Sequence, residues 1–402
     1  MPPIATAPPV PPSAARPVRA AVGAITTTIA CVIPVFLVGG LAVQIGAELA
    51  FSPAGLGLAV SVYFGVSAVA SVPAGRLVER FGPAGVARVA IGLSAVSLLA
   101  IAVVARSLTG LVSVLAVSAA ANALGQLASN AALVRHVPAR RQGLSFGVKQ
   151  AAIPVSTLLA GAAVPAVALT LGWRWAFVVA AVAAVAAVPL VPAQERVSSR
   201  AARDAGGRAT AALVVLGVAA TLAAAAANAL GTFLVDASVT RGISPGPAGL
   251  TLTLGSVVCV AARVAGGWQA DRYPRHQVRV IAGLLAVGAV GLGLLAVPGT
   301  AALIVGVTLG FGFGWAWPGL MNFAVARLHP QAPAAATSIT QTGVYAGGCV
   351  GPLVLGTVAA GAGYPAMWAS AGVAMMFAVG FMLIGSAMLR RHAVSGPPIA
   401  SS

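Results

Sequence analysis

The chain has 402 residues, of which 59% are hydrophobic and 7% charged, with a mean hydropathy of +0.99. Soluble globular domains carry charge on roughly a quarter of their residues, so this composition excludes them and points to a lipid bilayer. The net charge of +17 comes as short clusters between apolar stretches, with no aromatic interleaving or binding-module signature, which excludes nucleic acid as the partner.

Residues 1–18 are proline-rich and read as a disordered cytoplasmic tail. The apolar segment that follows is too long for a signal-peptide core. A membrane-spanning helix needs about 20 mostly apolar residues. Cutting the chain at its charged and Pro/Gly-rich breaks gives twelve spans: 22–45, 53–75, 84–105, 109–133, 143–168, 173–193, 210–236, 248–269, 277–297, 301–326, 333–360 and 364–389. The fold class is therefore an all-α membrane protein. Its expected organisation is a tail (1–18), a six-helix bundle (19–193), a basic linker (194–209), a second bundle (210–389) and a tail (390–402).

If the N-terminus is cytoplasmic, most arginines fall in the tails and the even-numbered connections. Only Arg106, Arg174 and Arg241 fall on the other side, together with Glu48 and Asp236. This positive-inside bias places both termini in the cytoplasm of a multi-pass protein in the cytoplasmic (inner or plasma) membrane.

The stretch "AGRLVERFG" (74–82) has a counterpart in "GGWQADRYP" (266–274): Gly75 matches Gly267, Glu79 matches Asp271 and Arg80 matches Arg272, each pair 192 residues apart. The same offset relates Asn130 to Asn322, Arg135 to Arg327 and Pro138 to Pro330. Six helices are an even number, so the two halves are parallel repeats about an axis along the membrane normal.

With these residues the chain resembles the major facilitator superfamily, whose second-to-third helix loop carries Gly-x-x-x-Asp-Arg-x-Gly, often repeated between the eighth and ninth. Gly75, Glu79, Arg80 and Gly82 match the first copy with Glu for Asp; Gly267, Asp271 and Arg272 match the second, with Pro274 for the last glycine. The "GWRW" of 172–175 is similar too, and the likeness runs from about residue 20 to 390. The resemblance implies two pseudo-symmetric six-helix bundles and makes the two motif copies a conformational latch, its acidic residue facing a helix N-terminus. An ordinary topogenic loop is the alternative.

Polar stripes mark the helices that either line a pathway or bond to each other. They are Tyr63, Ser67 and Ser71 on span two; Ser118, Asn122, Gln126 and Asn130 on span four; and Ser145, Lys149 and Ser156 on span five. Span seven carries Thr221, Asn228, Thr232 and Asp236, and span eleven Thr337, Gln341 and Tyr345. Spans three, six, nine and twelve lack such stripes, in keeping with the peripheral helices of the resembled family. Span ten holds "GFGFGWAWPGLMN" (310–322), a broken helix of the kind that builds transporter sites. At 3.6 residues per turn it puts Phe311, Trp315, Pro318 and Asn322 on one face, away from Phe313 and Trp317.

Lys149, the only lysine, lies eight residues past Arg141, about 12 Å along the helix. Either it faces a wet pathway, which would suit an anionic substrate, or its stem snorkels to the interface. The candidate substrate-binding set is Lys149, Asn122, Gln126, Tyr63, Asn228, Trp315, Gln341 and Tyr345. Asp236 and Glu48 are candidate proton-coupling groups near the external helix ends, and Arg263 reads as structural, near the latch.

Cys31, Cys259 and Cys349 lie far apart in apolar runs, so neither a disulfide framework nor a metal site is expected, and no cofactor. No phosphate-binding loop and no catalytic constellation is present, which argues against an ATP-driven pump and an enzyme. The expected function is a monomeric secondary transporter of a small, anionic organic solute, working by alternating access and coupled to protons. Drug or metabolite efflux by proton antiport is the alternative, then a non-transporting receptor. The drug-exporting pattern is incomplete, because span four has no arginine and span five keeps only Pro154 and Gly161 of a glycine-rich stretch.

Overall fold

The computed structural model describes residues 15–138, 141–192, 210–273, 276–328 and 333–394. The tail up to residue 14, Arg140, the linker 194–209, Pro274, Arg275, His329, Pro330 and the tail from 395 lie outside the described residues, as do the side chains of Arg135 and Thr337.

Regular structure among the described residues is entirely helical, as lipid demands: with no water at depth, each backbone N–H and C=O must be paired within its own segment. The α-helices are α1 (Ala15–Gly40), α2 (Ala42–Leu49), α3 (Pro53–Phe81), α4 (Pro83–Val104), α5 (Leu108–His136), α6 (Gln142–Ala163), α7 (Trp173–Ala187), α8 (Thr210–Thr240), α9 (Pro245–Arg272), α10 (Gln277–Leu295), α11 (Thr300–Leu309), α12 (Pro318–Leu328) and α13 (Pro333–Val394). A π-turn, Val164–Ala168, extends α6, and another, Gly310–Gly314, joins α11 towards α12. Inside α13 Gly363 adopts φ 81° and ψ 168°, a left-handed break that divides it into two limbs. Counting the two limbs of α13 separately, the described residues hold twelve segments long and apolar enough to cross a membrane.

Two boundaries differ from expectation. α1 begins at Ala15, within the stretch read as a disordered tail. The two latch motifs are not loops: Gly75–Arg80 forms the last turns of α3 and Gly267–Arg272 the last turns of α9. An apolar window ends where charge begins, whereas a helix continues into the headgroup region, where its charges are solvated. α3 stops only at Gly82, whose φ of 77° lets its N–H return to the Val78 carbonyl at 2.9 Å.

The helices sort into two bundles. In the first, α1 packs on α4, α5 and α6, α3 on α5, and α4 on α5 and α7; in the second, α8 packs on α9 and α13, and α10 on α11 and α13. Between bundles, α6 meets α9, the N-terminal limb of α13 meets α3, and α1 meets α8. Glycine sets the approach on the α6–α9 seam: a Cβ on Gly249 would lie 2.6 Å from the Gly161 carbonyl oxygen, and one on Gly267 would lie 2.8 Å from that of Gly143. On α4, α7, α10 and the C-terminal limb of α13, exposed Val89, Val96, Val182, Val290, Val373 and Phe377 form the outward surface. Such a surface suits lipid and not water. Below, the face bearing the α3–α4, α5–α6 and α9–α10 connections is called arginine-rich and its opposite arginine-poor.

Candidate functional site

The polar stripes of α3, α5 and α6 converge in the interior. Ser67, Ser118, Asn122, Gln126 and Lys149 are all buried. Asn122 Nδ2 donates to Ser67 Oγ at 3.0 Å, and Ser67 Oγ donates to the Ala119 carbonyl at 3.1 Å. The Tyr63 hydroxyl donates to the Cys31 carbonyl at 2.8 Å. The Lys149 ammonium, on a residue only 2% exposed, donates to Gln126 Oε1. The stem does not snorkel; the ammonium turns inward to α5.

In the second bundle, the break in span ten is tied to α6 through Arg263. The π-turn at Gly310–Gly314 releases the helix, and Trp315 sits next in a non-helical conformation (φ −115°, ψ 2°), buried against Phe36 of α1 (ring centroids 5.7 Å) and Phe311 (5.5 Å). Unwinding frees the Trp315 carbonyl from helix bonding, and Arg263 of α9 takes it with Nε at 3.1 Å and Nη2 at 2.6 Å. Arg263 Nη1 donates across the bundle boundary to the carbonyl of Gln150, the neighbour of Lys149. Arg263 is likewise 2% exposed. Sequence reading put it near the latch; the structure places it between the break and α6. Its one visible signal was depth, since it lies eight residues before Asp271, as far in as Lys149 is from Arg141.

The remaining candidates fall into three groups. Tyr345 is buried, on the limb of α13 that meets α3. Asn228 is buried, but its Nδ2 bonds within its own helix, to the Ala224 carbonyl at 2.8 Å, and Gln341 is half-buried. Phe313 is exposed, whereas Trp317 is completely buried and its Nε1 has no partner. Buried atoms Asn122 Oδ1, Gln150 Oε1 and Ser118 Oγ are also unpartnered.

All four described carboxylates lie at the ends. Asp271 accepts the N–H groups of Gly143 (3.0 Å) and Leu144 (2.9 Å), so it caps the start of α6 from the other bundle. Glu79, its counterpart, is exposed, and Gly75 has open space where Gly267 meets a backbone. The neighbouring Arg80 lies over the Phe81 ring at 5.2 Å, while Arg272 stacks on Trp268 at 3.8 Å. Asp236 is half-buried and accepts the Tyr364 hydroxyl, one residue past the Gly363 break. Glu48 accepts from Arg174 Nη1 at 2.5 Å and from Trp173 Nε1 at 2.7 Å. These bonds, Arg174 first, hold the Glu48 carboxyl below its ordinary range. Among the described residues, then, no carboxylate faces Lys149 or Arg263, and no group of three potential metal ligands occurs.

Further bonds between the bundles include Thr157 with Ser256 (2.6 Å), Thr253 donating to the Leu158 carbonyl (3.4 Å) and Ser61 donating to the Cys349 carbonyl (2.5 Å). A surface groove of about 550 Å³ between α10 and the C-terminal limb of α13, lined by Ala289, Gly293, Gly372 and Phe377 among others, contains no polar side chain and faces lipid.

A sequence model of the Major Facilitator Superfamily matches residues 23–352, and again residues 216–399. Two similar solved structures are of a bacterial homologue of the human lysosomal transporter Spinster. The inward-facing, occupied form is 15% identical (94% of this chain, 97% of that one, TM-score 0.67). The inward-facing, unoccupied form is 14% identical (95% and 98%, TM-score 0.68). At such identities the likeness is one of fold. No curated protein sequence matches.

Proposed function

Because this chain belongs to the major facilitator superfamily, we propose that it is a secondary transporter that carries a small organic anion between its two bundles by alternating access. One observation carries the anionic assignment: Lys149 and Arg263 are buried together with no described carboxylate beside them. An uncompensated buried charge costs several kcal/mol, and an arriving anion removes much of that cost. Lys149 and Gln126 form the anion-binding end, Trp315 and Tyr345 the aromatic wall, and Asn122 and Tyr63 the polar floor; Asn228 and Gln341 are the further contacts assigned to the second bundle.

The arginine-rich face is assigned to the cytoplasm by the positive-inside rule, with the protein in the cytoplasmic membrane as a monomer. Proton coupling is part of the proposal. Of the two coupling carboxylates, Asp236 is the better suited, being half-buried and bonded to Tyr364 beside the break in α13; Glu48 sits in an exposed ion pair. Of the latch residues Glu79, Arg80, Asp271 and Arg272, Asp271 is the one that ties the arginine-rich ends together, through the start of α6.

The test is flux in proteoliposomes under an imposed pH gradient, with labelled organic anions and lipophilic cations, for the native chain and Lys149→Ala. Anion flux is expected and should fall at least about tenfold in the variant, since charge-assisted hydrogen bonds contribute about 1.5–3 kcal/mol. Cation flux that survives the substitution would overturn the assignment and make the protein an exporter.

A further inference from the structure

Lys149 alone accounts for a monoanion; the site holds two cations. They come from opposite bundles, Lys149 from α6 and Arg263 from α9, and are linked through Gln150, whose carbonyl accepts from Arg263. All the bonds of Arg263 to oxygen go to neutral carbonyls, at Trp315 and Gln150. Carbonyl dipoles solvate a guanidinium without cancelling its charge. Of its five N–H groups those bonds use three, leaving one on each terminal nitrogen, and the Cys259 thiol lies against the group. The ammonium of Lys149 has three N–H groups and one acceptor, Gln126. No described carboxylate lies against either cation.

We propose that the transported anion is a dianion of the dicarboxylate class, with one carboxylate on Lys149 and the other on Arg263, which makes Arg263 the residue that selects two charges over one. The proposal rests on the anion-transport reading above and adds valence to it. Because the two cations belong to different bundles, such a ligand bridges both halves, whereas a monoanion on Lys149 engages only the first. The aromatic ring of Trp315, 5.8 Å from the Arg263 guanidinium, stands beside that second carboxylate position.

The test is competition against a labelled dicarboxylate in proteoliposomes, with malonate, succinate and glutarate set against acetate and butyrate. The native chain should prefer the best dianion over butyrate by at least about tenfold, as expected for one additional charge-assisted contact. Arg263→Lys keeps the charge and should retain most of that preference, although it cannot clamp the Trp315 carbonyl as a fork. Arg263→Gln keeps a hydrogen-bond donor and should lose the preference. If Arg263 serves only to clamp the carbonyl, both variants damage flux alike and selectivity does not follow charge, which overturns the proposal. Equal competition by mono- and dicarboxylates in the native chain overturns it without any variant. In that case Lys149-dependent monoanion flux would leave the transport reading standing, whereas absence of all anion flux would remove both.

Discussion

Gln126 is the acceptor that makes Lys149 tolerable at its depth. Its Oε1 is the oxygen described as bonded to the ammonium, and both residues are buried. Replacing Gln126 by Leu should therefore destabilise the protein by about 1–3 kcal/mol, the cost of leaving a buried polar group unsatisfied. Adding Lys149→Met, which removes the charge and keeps the length, should recover most of that loss. Thermal unfolding in detergent of the two single variants and the double variant checks this, since a coupled pair gives a non-additive cycle. An additive cycle would mean that Lys149 finds its solvation elsewhere. At this scale the sequence was only partly legible. Lys149 stood out as the only lysine and at a depth that demanded a partner, and the i, i+4 stripe on span four contained that partner. Arg263 was equally deep, yet its ligands are main-chain carbonyls at Trp315 and Gln150, which no side-chain pattern encodes.

Helix ends decide what the repeated latch spacing does here. α6 begins with free N–H groups at Gly143 and Leu144, and Asp271 supplies both acceptors from α9. One carboxylate thus caps a helix, meets its positive dipole end and ties two bundles together. Asp271→Ala should cost about 1 kcal/mol of stability as a lost cap. It should also loosen the α6–α9 seam at that end alone, so hydrogen exchange should rise at residues 143–147 and stay unchanged near Gly161. Uniform loosening along α6 would contradict a local staple. The motif residues were visible in the sequence, but their helical state was not. Apolar windows ended span two at 75 and span eight at 269, several residues before Gly82 and Tyr273 end the helices. The "GFGFG" break was legible from its glycines, although the π-turn that sets the direction of Trp315 was not, because an extra residue per turn leaves no compositional trace.

At the scale of the whole molecule, composition and one repeat offset carried most of the architecture. The twelve crossings and the two halves follow from hydropathy and from the 192-residue spacing of Gly75 and Gly267. That spacing also relates residues whose contacts are equivalent: Gly57 of α3 meets the backbone of α13 at Pro352, as Gly249 of α9 meets that of α6 at Gly161. Both contacts lie towards the arginine-poor face and close it by backbone approach, with no room for a side chain. The alternating access proposed above requires these seams to part, so a bulky residue there should hold the arginine-poor end open. Cys349 provides a native reporter, because it lies in the α3–α13 seam beside Gly65 while Cys31 and Cys259 are fully buried. In sealed vesicles, Gly57→Leu should make Cys349 react faster with a membrane-impermeant maleimide applied from the arginine-poor side, and substrate flux should fall about fivefold or more. The size of that drop follows from the cost of overpacking, about 1–3 kcal/mol against the closed state. Faster labelling from the arginine-rich side instead would mean that the seam guards the opposite entrance. Unchanged labelling with lost flux would mean that the glycine serves folding and the gate lies elsewhere.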